Sequence, residues 1–380
     1  MAACNAAILE LLAPYPTLKC AAAWRGPSKH RLEWRGQGGE PYAECTVRIL
    51  EGGASPGPSP PKEQPKKVTY DASSLDLLAL WFAAAKILYL HGAFALAADL
   101  VALVEPARRN SKLPIHTTTV RNEHAYYCCL AQCLAGRHQA QADAQADAAG
   151  ALPVGEEELA GGGVSRALFV VGDSHVVPTA FEITAAGRTL VPKLTTGLKH
   201  WHLRKGCDFY PKRNFERVMA SLPAGSDVLF ILGEIDCREG ILVALEKDRY
   251  ATLEEGMSST MGHFLVALEA LLASGRVNTA LVHPVVPVLN ETRGLVVRYN
   301  ALLERRVKAL GQKAGQGGRV RWVDGVFEKL FEPPGGGEGG GASVGELRLR
   351  RDLELDGTHL HPRYVKLFLA PAIDACMKAT

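Results

Sequence analysis

The sequence has no pair of cysteines at the two-residue spacing of a zinc ribbon or a thioredoxin-type redox site, although nine cysteines are scattered over its 380 residues. Their odd number argues against a disulfide framework and for a reducing compartment. A charge excess is also missing. The 43 Lys and Arg against 40 Asp and Glu leave +3, too little to mark a nucleic-acid or anionic-membrane surface. The most apolar stretch, residues 75–104, is interrupted by Asp76, Lys86, His91 and Asp99, which makes a membrane span costly and predicts packed helices. The start, MAACNAAILELLAPYP, lacks a positive leader and a long apolar run, so no secretory signal is expected and a cytoplasmic chain is, with organelle targeting left open. Present in quantity are apolar residues, 47% against 22% charged, sufficient for a sizeable core.

Composition divides the chain. Residues 1–50 hold short strand-like alternations at 21–24 and 43–50, which Arg31–Trp34 can pair with. They predict a small β element. Residues 51–70 include GGASPGPSPPKEQPKK, which cannot bury apolar area and reads as a linker. Residues 71–137 read as helices. The first is capped by Ser73 or Ser74 and broken at His91-Gly92. A second ends at Pro106, and a third covers about 120–134. This hairpin pattern resembles a tetratricopeptide unit, which implies a possible protein partner through 72–136; a helical cap on the next domain is the plainer reading. Residues 138–164, rich in Ala, Gln, Asp, Glu and Gly, read as a low-complexity linker. A Gly-rich insert at 333–346 reads as a surface loop within the last segment.

That last segment, 165–380, alternates strands and helices. The apolar runs ALFVV (167–171), DVLFIL (227–232), TALV (279–282) and VRWV (320–323) predict buried strands, with helical windows at 215–222, 257–272 and 295–310. The pattern predicts an α/β fold: a three-layer α/β/α sandwich around a mainly parallel sheet, preceded by the small helical region. Ligands of such sheets bind beyond the carboxyl ends of the strands. Polar residues gather there: Gly172-Asp173-Ser174-His175, Gly233-Glu234-Ile235-Asp236-Cys237-Arg238, His283 and Asp324.

The first of these places Ser174 on a strand-to-turn junction, where backbone N–H groups can face an oxyanion. A serine needs a base to act at neutral pH, and the base needs an orienting acceptor. Near the C-terminus, LDGTHLHP supplies Asp356 and His359 three residues apart around Gly357. His175 is expected to cap the following turn or line the pocket. His361 is expected to pack beside Pro362, and His200 and His202 to lie on the surface beside Trp201. Cys237 reads as a packed residue.

The ordered Gly-Asp-Ser and Asp-x-x-His blocks resemble the SGNH (GDSL-type) hydrolase superfamily over residues 165–380. The resemblance implies a flavodoxin-like fold and a serine hydrolase or acyltransferase working without cofactor or metal on a small-molecule, glycan or lipid ester. It implies Ser174 as nucleophile, His359 as general base and Asp356 as its orienter. Gly197 is the candidate second-block glycine. The family's third block, Gly-x-Asn-Asp, reads here Gly233-Glu234-Ile235-Asp236, so Ile235 stands where an asparagine would donate to the oxyanion. Arg238 is the nearest replacement donor, and Glu234 and Asp236 join it as candidate substrate-binding residues.

Two other readings use the same residues. Ile235 suits a non-catalytic SGNH-fold protein that binds a partner through its helical region. Asp173-x-His175, Glu234 or Asp236, His283 and His359-x-His361 resemble the ligands of a calcineurin-type, metal-dependent phosphoesterase. In that reading the Gly233-Glu234 block has its next acid one residue early, and Thr358 separates Gly357 from the histidines.

Overall fold

The computed structural model describes residues 21–22, 31–35, 41–46, 67–145, 166–313, 318–332 and 347–378. The linker sequence at 52–66, residues 146–164 of the second linker and the insert at 333–346 lie outside them. The chain divides into two compact units, Met1–Leu88 with Ala93–Ala131, and Tyr89–Gly92 with Gln132–Thr380.

In the first unit, β1 (Ala21–Ala22), β2 (Arg31–Arg35) and β3 (Pro41–Thr46) form an antiparallel sheet in that order, with Ala21 opposite Glu33 and Trp34 opposite Tyr42. Helices α1 (Ala72–Leu90), α2 (Phe94–Asn110) and α3 (Arg121–Gln145) follow. The cap of α1 is Asp71, whose Oδ1 accepts from Ser74 N at 2.7 Å, rather than Ser73 or Ser74. Its buried residues Leu77, Leu78, Trp81, Phe82 and Ala85 recur with helical period, and Phe82 packs on Tyr127 with ring centroids 4.4 Å apart.

Two boundaries differ from expectation. Pro106 does not end α2 but lies inside it. The turn around it is held by side chains: Tyr127 Oη donates to Val101 O at 3.0 Å and to Glu105 at 2.9 Å, and Arg108 and Arg109 both bind Glu105. Helix α3 runs past 134 into the Ala/Gln/Asp repeat, whose residues are good or tolerable helix formers.

The second unit is built on a five-stranded, all-parallel sheet of β4 (Arg166–Gly172), β5 (Arg188–Leu194), β6 (Ser226–Ile231), β7 (Val277–Val282) and β8 (Val320–Trp322). Its order is β5-β4-β6-β7-β8, the flavodoxin-like arrangement, in which the strand order reverses between β4 and β6. Successive residues alternate between two cores. Val228, Phe230, Ala280 and Val282 pack with α4 (Tyr210–Ser221), α6 (Leu253–Ala273) and α7 (Arg293–Gln312). Leu168, Leu229, Ile231 and Leu281 pack on the opposite face with Val365, Leu369 and Ile373. The short helix α5 (Ile241–Glu246) follows the β6 loop, and α8 (Ala370–Lys378) is the last described element. Helices therefore cover both faces, as a buried parallel sheet requires.

Strand β5 was not expected from its sequence, RTLVPKL, because Pro192 and two cations interrupt it. It occupies the sheet edge, where proline is tolerated, and its outer side is met at Arg188–Leu190 by residues 181–184 rather than by a strand of the sheet. Two helices, α1 and α6, are long and apolar enough to cross a membrane by length and composition. Both turn a buried stripe inward; that of α6 includes Met257, Met261, Phe264 and Leu268 of the sheet core.

Candidate active site

The site begins where β4 ends. Gly172 is closed in by its neighbours: a Cβ there would fall 2.0 Å from Ile231 O of β6. From the β5 side, Thr195 donates to Gly172 O through its N–H at 2.6 Å and its hydroxyl at 2.8 Å. Asp173 then caps a short 3-10 turn, Ser174–Thr179, with Oδ1 accepting from His175 N at 3.0 Å. Ser174 is thereby presented half-buried at the carboxyl edge of β4, beside the switch point. It makes no side-chain hydrogen bond among the described residues. Nor do the backbone N–H groups of Ser174 and Gly197 have acceptors among them. Gly197, at φ +67°, sits in the turn after β5.

Leaving β6, the chain passes Gly233 at φ +108°, where a Cβ would meet Val285 Cγ2 at 2.8 Å and His200 Cε1 at 3.1 Å. Asp236 is fully buried, and both its oxygens accept backbone N–H groups, His200 N at 2.7 Å and Trp201 N at 3.2 Å. It ties the β6 loop to the 3-10 turn His200–Leu203. Burial pushes its carboxyl up to about 7 against the pull of those amides. Its oxygens are therefore already engaged in bracing that loop.

Glu234 is also buried, and its two oxygens lie between an imidazole and a guanidinium. Oε2 is 3.6 Å from His175 Nε2, and Oε1 is 3.6 Å from Arg238 Nε. Burial disfavours its charge, but His175 and Arg238 outweigh that and hold the carboxyl below its usual range. Arg238 projects from a π-helical turn, Asp236–Gly240, and its side chain is 36% exposed.

The third strand of the site comes from a loop closed on itself. Leu355 N donates to His359 O at 3.0 Å and His361 N to Leu353 O at 2.8 Å. Within it Asp356 Oδ1 accepts from Thr358 N at 2.8 Å and His359 N at 2.7 Å, fixing the turn around Gly357. The same carboxylate accepts from His359 Nδ1, at 3.0 Å to Oδ1 and 2.9 Å to Oδ2. Burial opposes its charge, yet the imidazole and the two amides prevail and lower its pKa. An ionised Asp356 places the proton on Nδ1 and leaves Nε2 as an acceptor. That Nε2 is buried and without a hydrogen-bond partner among the described residues.

The segments converge through their histidines: the rings of His175 and His359 are 5.0 Å apart. His175, His359, Asp356, Glu234 and Arg238 thus form one run of contacts, with Ser174 next to His175 in its turn and Asp236 bracing the β6 loop. His361 does not turn to it; its Nδ1 accepts from Arg363 N at 3.1 Å and starts the next turn. Asp324 is exposed and pairs with Lys308 at 2.8 Å. His200 and His202 are buried rather than superficial. His200 stacks on Phe264 at 4.3 Å and contacts Tyr299 Oη through Nδ1 at 2.8 Å. Cys237 is fully buried, and burial raises its thiol well above the ordinary value, away from nucleophilic chemistry.

His283, singled out by its place at the end of β7, and Tyr364, which was not, also border the cluster. His283 Nδ1 donates to Pro284 O at 2.5 Å, and its ring meets Tyr364 edge-on at 5.9 Å. His283 Nε2 and Tyr364 Oη are buried without hydrogen-bond partners among the described residues. Tyr364 carried no signal beyond lying shortly after LDGTHLHP. Among the described residues, the acids and histidines of the phosphoesterase-like reading do not bring three ligand atoms of their own within 4.8 Å of one another. No family model, curated protein or solved structure matches the chain.

Proposed function

We propose that this chain is a serine hydrolase or acyltransferase of SGNH type, acting on a small-molecule, glycan or lipid ester in a soluble, cytoplasmic setting. The observation that carries the reading is the Asp356–His359 pair, with Nε2 left open beside the turn that presents Ser174. In the proposed reaction Ser174 Oγ attacks the ester carbonyl carbon and its proton passes to His359 Nε2. The tetrahedral oxyanion is met by the N–H groups of Ser174 and Gly197 and by Arg238, whose guanidinium takes the place of the asparagine lost at Ile235. Collapse expels the alcohol, which leaves with the proton from His359. Water, or a second alcohol in a transferase, then attacks the acyl carbon and gives its proton to His359, which passes it to the departing Ser174 Oγ as the acyl group is released. Approach of the ester would also draw the hydroxyl and Nε2 together, as catalytic hydrogen bonds are often long before substrate binds.

The reading is tested by fluorophosphonate labelling and a panel of short-chain esters. Label that disappears in Ser174→Ala, with ester turnover, supports it; wild-type protein that neither labels nor hydrolyses refutes it. Ile235, together with Leu80 and Ile87 exposed seven residues apart on α1, favours the second reading, a partner-binding protein that kept the fold without turnover. Capture of a partner by a protein inert towards every ester would support that one.

A further inference from the structure

Behind the proposed base lies a second charged pair that the reaction above does not use. His175 is 3% exposed, and neither ring nitrogen makes a hydrogen bond among the described residues. On one side its ring faces His359 at 5.0 Å, and on the other its Nε2 faces Glu234 at 3.6 Å. The groups around it come from four places. Asp173 belongs to its own turn, Glu234 and Arg238 to the β6 loop, His283 to the end of β7, and His359 to the C-terminal loop. Burial alone would discharge this imidazole, but Asp173 and Glu234 outweigh it and raise its pKa. Asp356, His359, His175, Glu234 and Arg238 therefore stand in a row in which two imidazoles lie between two carboxylates, with Arg238 at the outer end.

We propose that His175 and Glu234 form an inner ion pair that sets the working pH of the Asp356–His359 pair, His175 being a positioning residue and Glu234 its counter-charge rather than a substrate ligand. The inference rests on the serine-hydrolase reading. Its physical content is neutrality. The inner pair carries no net charge, so His359 feels only the difference between the nearer imidazolium of His175 and the carboxylate of Glu234 behind it. Loss of either member leaves the other uncompensated in a buried place, where a charge acts strongly.

The test uses the full chain and the pH dependence of its labelling by a fluorophosphonate, in which Ser174 Oγ displaces fluoride from phosphorus. In His175→Asn the Glu234 carboxylate is left over, and the acid limb should move to higher pH by about one unit. In Glu234→Gln the cation is left over, and the limb should move to lower pH by about the same amount. The double variant should return the limb to its wild-type position. Glu234→Gln also releases Arg238 and lowers the height of the profile, so the limb's position is the readout; a loss of packing alone would not move it in opposite directions. If His175→Asn fails to fold, Glu234→Gln alone must still move the limb downward. Labelled protein whose limb stays fixed in the single variants, or whose double variant shifts as far as either single, overturns this inference and leaves the hydrolase reading standing. Wild-type protein that takes no label on Ser174 removes both.

Discussion

Asp356→Asn separates orientation of the base from everything else this carboxylate does. The asparagine carbonyl can keep the amides of Thr358 and His359, now at 2.8 and 2.7 Å. The turn should persist, with a stability loss of about 1–2 kcal/mol for exchanging a charged acceptor for a neutral one. The contacts to His359 Nδ1, at 2.9 and 3.0 Å, fare differently. An amide NH2 can face Nδ1 only if that nitrogen gives up its proton, and the proton then resides on Nε2, where it blocks base action. Where an aspartate orients a catalytic imidazole, this exchange costs roughly 10^4-fold in rate, or about 5.5 kcal/mol of barrier. The fluorophosphonate labelling rate at neutral pH should therefore fall about 10^3- to 10^4-fold while the thermal midpoint drops only a few degrees. A labelling rate within a few-fold of wild type would refute the assignment of Asp356 as orienter. A collapse of the midpoint would mean that the loop, and not the tautomer, had failed.

Asp236 predicts a pH dependence of stability. Its folded pKa is raised to about 7, above the unfolded value, so its contribution is fully present below the unfolded pKa and is lost as pH rises through 7. Urea midpoints of Asp236→Asn should lack the part of the decline between about pH 4 and pH 7 that wild type owes to this group; identical pH curves would contradict it. Gly172→Ala should destabilise by more than about 3 kcal/mol, because its Cβ would stand 2.0 Å from Ile231 O on a neighbouring strand; a thermal midpoint unchanged from wild type would contradict it. Ester turnover should survive dialysis against EDTA, and its loss with recovery on adding a divalent cation would favour the phosphoesterase-like reading.

What was legible in the sequence was the part governed by burial on both sides. The runs that became β4, β6, β7 and β8 are mostly apolar and end on glycine, histidine or aspartate, and the helical windows around Phe264 and Leu303 follow the 3.6-residue period. Strand β5 was not legible, because an edge position relaxes the demand for apolar residues and accepts Pro192. The interior Pro106 was hidden for a related reason: the tyrosine and glutamate that hold its turn are tertiary partners. In the site, Gly-Asp-Ser-His and Asp-x-x-His were readable as motifs, each with a plausible chemical role. Their approach to 5.0 Å was not, since it depends on how the C-terminal loop crosses the sheet edge. Nor was the work of Asp236, which looks like a substrate ligand in the sequence and caps a backbone turn in the fold. Burial of His200 was likewise invisible, because its aromatic partners Phe264 and Tyr299 lie far along the chain.

The central claim is that Ser174 is the activated hydroxyl of this cluster, and peptide mapping after fluorophosphonate treatment tests it most directly. The account predicts one phosphonylated peptide, carrying its adduct on Ser174, formed in native protein and absent from heat-denatured protein. An adduct spread over other hydroxyls, or no adduct at all on folded protein, would contradict it.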